Sequence, residues 1–125
     1  YITPSKLFEA GIKFCISNSE SPFQTPHIRN LPYHAAKAAS YGLPWEEALR
    51  SITLSSAEIL GVADLVGSLD TGKDATLFIA DGDILDIRSQ VIRAFIQGKD
   101  VDMNDRHKML DSKYRIKYQQ QGILK

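Results

Sequence analysis

The stretch Thr3-Pro4-Ser5-Lys6-Leu7-Phe8-Glu9-Ala10-Gly11-Ile12-Lys13-Phe14-Cys15-Ile16-Ser17 decides the fold class. Thr3 offers a capping hydroxyl. Pro4 fits a first helical turn, where its missing N–H is not needed, and Gly11 suits the left-handed residue that ends a helix. Residues 12–17 then read as a strand. The run Phe14-Cys15-Ile16 is continuous rather than alternating, which is the pattern of a parallel strand covered on both faces. A helix that delivers the chain into such a strand is an α/β signature.

Composition supports a globular unit. The 125 residues are 43% hydrophobic, enough for one domain with a core. Fifteen basic residues balance fifteen acidic ones, so no net field draws the chain to nucleic acid or to an anionic membrane surface. No apolar run approaches the length of a membrane span. Cys15, the single cysteine, excludes an internal disulfide and cannot build a thiolate metal site alone; it is expected to be an inert core thiol. The start at Tyr1, without methionine and in mid-pattern, sets the expectation of a piece of a longer polypeptide. The compartment therefore stays open between cytoplasm and periplasm.

Downstream of the strand, residues 18–27 are polar and proline-broken, with no apolar period. Loops that leave the C-terminal ends of strands hold the active site of an α/β barrel, so this loop is where chemistry is expected. Helix resumes over residues 30–41. There Ala35, Ala36, Ala38 and Ala39 permit close packing, and Gly42 stops the helix. Pro44, with Glu46 and Glu47 at the positive end of the helix dipole, opens the next one. Thr53 reads as the hydroxyl cap of a third, which ends at Gly61.

Beyond Gly61 the character becomes β. Residues 66–79 read as a turn-rich strand pair with the turn at 71–74. Residues 75–80 form a strand, and 91–96 and 99–103 flank Gln97-Gly98 as a hairpin. Asp81-Gly82-Asp83 reads as a solvated turn. A last helix is expected from Asn104, with Leu110, Tyr114 and Tyr118 as an apolar stripe. The expected units are thus 1–61 (last barrel strand and helices), 62–103 (part of a β-sandwich) and 104–125 (helix and tail).

Three separated pieces carry a family resemblance. They are Arg29-Asn30-Leu31-Pro32-Tyr33-His34-Ala35; Gly42-Leu43-Pro44-Trp45-Glu46-Glu47-Ala48-Leu49-Arg50-Ser51-Ile52-Thr53, leading into Ala57-Glu58-Ile59-Leu60-Gly61; and Val66-Gly67-Ser68-Leu69 with Gly72-Lys73-Asp74-Ala75. In order and spacing they resemble the C-terminal part of the amidohydrolase superfamily, especially its imidazolonepropionase-like and prolidase-like branch. The resemblance implies a C-terminal fragment of a metal-dependent (β/α)₈ barrel plus part of a small β-sandwich. It implies hydrolysis of a non-peptide or dipeptide-like C–N bond, with a small-molecule substrate. It also implies a divalent metal, zinc being the expected ion, whose ligands lie mostly on barrel strands upstream of Tyr1, so that this chain supplies none. The remainder of the barrel is then a partner, and self-association is a further one. A parallel strand left unpaired costs about 1–3 kcal/mol per amide group in an apolar setting, so the chain alone is expected to be unstable or to associate.

The resemblance also places an aspartate at the end of the last barrel strand, as a metal ligand and proton acceptor. The sequence departs from it: the stretch is Ser17-Asn18-Ser19-Glu20. An alignment shifted by one residue gives Glu20 the catalytic role; an exposed loop glutamate is the plainer reading. Asn18 or Ser19 could hold water or substrate, but neither is a base near neutral pH. His27 and Arg29 are candidate substrate contacts, the guanidinium suiting a carboxylate, while Asn30 reads as a helix cap. His34 and Trp45 read as packing residues, and His107 has no assigned role. The alternative function is a catalytically degenerate scaffold or ligand-binding protein of the same fold.

Overall fold

The structure is a computed structural model that describes residues 1–18 and 25–123. Helix α1 spans Thr3–Glu9, a 3₁₀ turn covers Thr25–Asn30, and α2 (Leu31–Ser40), α3 (Trp45–Ser51) and α4 (Leu54–Ile59) follow. Strands β1 (Leu77–Ala80), β2 (Val91–Ile96) and β3 (Lys99–Val101) precede α5 (Arg106–Gln120). Gly11 at φ 67°, Gly42 at 99° and Gly61 at 72° terminate helices where the sequence puts them.

The caps are a correction. Ile2, not Thr3, occupies the N-cap of α1, and neither Asn30 before α2 nor Thr53 before α4 makes a side-chain cap bond. Thr53 instead donates its hydroxyl back to the Leu49 carbonyl at 2.8 Å. A helix that begins directly out of a preceding turn already has its first amides engaged, so the hydroxyl finds a better acceptor.

Residues 12–17 are a second correction, because they form no strand among the described residues. Among the described residues they have no parallel neighbour, and a strand without a ladder does not form; the segment is tied to α3 by one backbone bond, Ile16 N–H to the Ser51 carbonyl at 3.1 Å. Ile12 is 53% exposed and Cys15 is exposed, so the thiol is not the core group expected of it.

The sheet is antiparallel in the order β1-β2-β3, with Leu77 opposite Phe95 and Ile96 opposite Lys99. Gln97 (φ 50°) and Gly98 (φ 75°) both adopt positive φ, the signature of a two-residue hairpin turn that follows the twist of its strands. The expected strand pair at 66–79 is half formed. Residues 63–73 are turns, and only Leu77–Ala80 is strand. One sheet layer is present among the described residues.

The core lies among the helices, with one residue added from the connection between β1 and β2. Ala35 and Ala38 of α2, Leu43, Ala48 of α3 and Leu85 are buried together, with Phe14 and Ile16 packed against them. Alanines at these positions bring α2 and α3 close, and Leu85 fills the space from the β side. Trp45 is 44% exposed rather than core; its indole N–H donates to Asp83 Oδ2 at 2.9 Å. The 81–83 segment is therefore a tethered turn, with Asp83 Oδ1 also accepting from the Leu85 N–H at 2.9 Å.

Candidate active site

Three elements converge where residues 12–17 end. The start of α1, the segment Ile16-Ser17-Asn18 and the first turns of α2 border a cleft of about 370 Å³, into which Asn18, His34 and Lys37 bring polar groups. The Ser5 hydroxyl donates to the Tyr41 carbonyl at 2.9 Å and locks α1 against the end of α2. Asn18 is half-buried, and its side-chain N–H donates to the His27 carbonyl at 3.2 Å, which ties the end of residues 12–18 to the 3₁₀ turn.

Of the four residues picked from the sequence, Asn18 is at the cleft. His27 and Arg29 are exposed on the 3₁₀ turn and do not border it. Glu20 lies outside the described residues. His34, expected to serve in packing, is instead exposed at the cleft, and His107 is exposed on α5.

Lys37 and Tyr1 escaped the sequence reading. The Lys37 ammonium stands 3.4 Å from the centroid of the Tyr1 ring, and it lowers the Tyr1 phenol below its ordinary value of 10.0 by hydrogen bonding and by charge. For Lys37 the sequence signal was its place one turn beyond His34 on the same helix face; Tyr1 had none. A cation, an imidazole and an amide side chain here can bind an anionic or polar group. None of them is a carboxylate. Among the described residues no three His, Cys, Asp or Glu side chains converge, so those residues do not hold a divalent metal by themselves.

Behind the cleft, at the opposite end of residues 12–17, an ion-pair cluster fastens the segment to the helices. Arg50 Nη2 donates to Glu58 Oε1 at 2.6 Å, and Lys13 Nζ lies 3.0 Å from Oε2. The second contact is an ion pair. Lys13 is the largest cause of a Glu58 pKa below the ordinary 4.5; partial burial opposes it, and Arg50 adds to the lowering. A carboxyl whose pKa falls on folding stabilises the fold above its unfolded-state value, and that contribution is lost as pH falls through the folded-state value. Stability should therefore decline on acidification below about pH 4.5. Glu58→Gln should flatten this acid limb in denaturant titrations taken across the range, and an unchanged limb would show that other carboxyls carry it.

The fold is a group of short helices joined to a small antiparallel sheet, with a polar cleft where residues 12–17 end. The model of the amidohydrolase family matches residues 15–112, and the chain belongs to that family. It is 36% identical over 99 residues to the amidohydrolase tasK of Hapsidospora irregularis, covering 77% of this chain and 10% of that protein. It is 33% identical over 79 residues to an imidazolonepropionase of Mesorhizobium japonicum, covering 62% and 19%. A solved amidohydrolase from Thermotoga maritima is 34% identical with a TM-score of 0.72, over 79% of this chain and 25% of that one. The fold is thus of TIM-barrel type, represented here by a small α/β part of it. The chain spans a quarter or less of the length of these relatives. The family is one of hydrolases that generally use divalent metals.

Proposed function

We propose that this chain is the closing segment of a metal-dependent hydrolase that cleaves a C–N bond in a cyclic amide, an amidine or a dipeptide-like substrate. The observation that carries this is the family match over residues 15–112, together with several relatives that are imidazolonepropionases. In this reading residues 12–17 are the last barrel strand, with neighbours supplied by chain upstream, and zinc held upstream would polarise the scissile carbonyl. The residues of this chain shape the mouth of the site. Asn18 fixes the loop through the His27 carbonyl, and Lys37 with His34 offers charge and hydrogen bonds to a polar substrate group. Glu20, on the same loop, is the proposed proton acceptor, and Arg29 and His27 are outer contacts.

The test is metal removal from the full-length polypeptide that contains these residues. Dialysis against a chelator should abolish hydrolysis of cyclic-amide substrates, and added zinc should restore it. Turnover that persists after metal analysis shows no bound ion would overturn the reading. The departure at Ser17-Asn18-Ser19-Glu20 favours one rival, a degenerate family member that binds ligand without hydrolysis; bound metal with no turnover on any such substrate would select it.

A further inference from the structure

Charge is segregated along this chain in a way its zero total conceals. Residues 62–105 contain nine aspartates against four basic residues, a net of −5, whereas 106–125 contain six basic residues against Asp111, a net of +5. The basic segment is α5. All of its residues are exposed, and it meets no other helix or strand of the described chain. A 15-residue helix is only marginally stable in water without tertiary packing, so its ordered state calls for a partner surface.

The helix has one face suited to that. Arg106, Lys113 and Lys117 fall on a single stripe, and none of them forms an ion pair among the described residues. Leu110, Tyr114 and Tyr118 run alongside, 38%, 46% and 37% exposed, with the Lys117 ammonium 5.9 and 5.8 Å from the two ring centroids. The opposite charge is available on the sheet portion, where Asp64, Asp81 and Asp102 are exposed and make no ion pair among the described residues.

The helix is held off its own sheet. Asn104 N–H donates to Asp102 Oδ1, Lys108 N–H donates to the capping Asp105 Oδ1, and Lys108 Nζ donates to the Met103 carbonyl, at 2.9, 2.9 and 3.0 Å. These bonds set the departure angle within a four-residue connector. We propose that α5 is a self-association helix: its basic, tyrosine-edged face docks on the acidic 62–105 portion of a second copy of this chain.

Two measurements on the full-length polypeptide that contains these residues test this. Light scattering at low salt should find dimers that dissociate as salt rises. Lys113→Glu with Lys117→Glu should weaken self-association roughly tenfold or more while helicity by circular dichroism holds. In a mixture of ¹⁴N- and ¹⁵N-labelled chains, carbodiimide should couple Lys113 or Lys117 of one copy to an aspartate of 62–105 in the other. Cross-links confined to single copies would mean that the helix folds back on its own body, and would overturn the proposal. So would association indifferent to salt and to the charge reversal, which unpaired strand edges would produce. A monomer that instead sediments with phosphatidylserine vesicles would assign the face to lipid and equally overturn it.

Discussion

Gly67→Ala is expected to cost about 2–5 kcal/mol of folding stability, the largest effect among the glycines of this protein. Two independent penalties coincide at that position. The backbone sits at φ +97°, which an L side chain adopts only with strain of about 1–2 kcal/mol. A Cβ there would also stand 2.7 Å from Ala57 Cβ and 3.1 Å from Leu54 Cα. Neither neighbour can swing aside, because one is a methyl fixed to α4 and the other is backbone. Relief would require moving the 63–73 turns off α4, which adds about 1–3 kcal/mol of overpacking. Gly72→Ala supplies the control: φ is +94°, but nothing lies within 4 Å of the new Cβ, so strain alone remains. Denaturant midpoints of the two variants separate the terms. Equal losses would mean that the contact of Gly67 with α4 contributes nothing.

That glycine shows what the sequence disclosed and what it withheld. Val66-Gly67-Ser68-Leu69 carries the family resemblance, yet in the linear pattern it reads as part of a strand pair. Its real task, seating a turn against Ala57 and Leu54, is tertiary and has no period to detect. Signals set by backbone chemistry were legible: Pro44 and Glu46-Glu47 at a helix start, the stops at Gly11, Gly42 and Gly61, and the Gln97-Gly98 hairpin. Features that depend on distant partners were not. The buried-strand pattern at Phe14-Cys15-Ile16 describes an environment these residues lack within this chain, so the amides find no ladder and the thiol stays exposed. Trp45 reads as core by its apolar spacing, whereas Asp83 draws its indole outward across 38 residues of sequence. At the cleft, Asn18 was singled out because the resemblance puts it near the expected strand-end aspartate, and it does border the cleft. Lys37 was not, since its meeting with Tyr1 depends on how α1 and α2 pack.

Glu20→Gln in the full-length polypeptide is expected to lower kcat for C–N bond hydrolysis by roughly 10²–10⁴-fold while leaving bound metal and fold unchanged. The substitution keeps the size of the side chain and its ability to accept a hydrogen bond. It removes the one property hydrolysis needs there, a site that takes a proton from the attacking water and returns it to the leaving nitrogen. No carboxylate can stand in: Ser17, Asn18 and Ser19 carry none, and the described cleft offers an amide, an imidazole and an ammonium. His34, exposed at the cleft, is the competing acceptor. The two single variants distinguish them. If Glu20 takes the proton, kcat collapses in Glu20→Gln and survives in His34→Gln, and the reverse holds if His34 takes it. Asn18→Ala gives a further separation. Losing the tether to the His27 carbonyl should raise KM while sparing most of kcat, because Asn18 holds the 3₁₀ turn to the end of residues 12–18 and transfers no proton. Activity indifferent to Glu20→Gln but lost in His34→Gln would move the proton to α2 and make Glu20 a bystander.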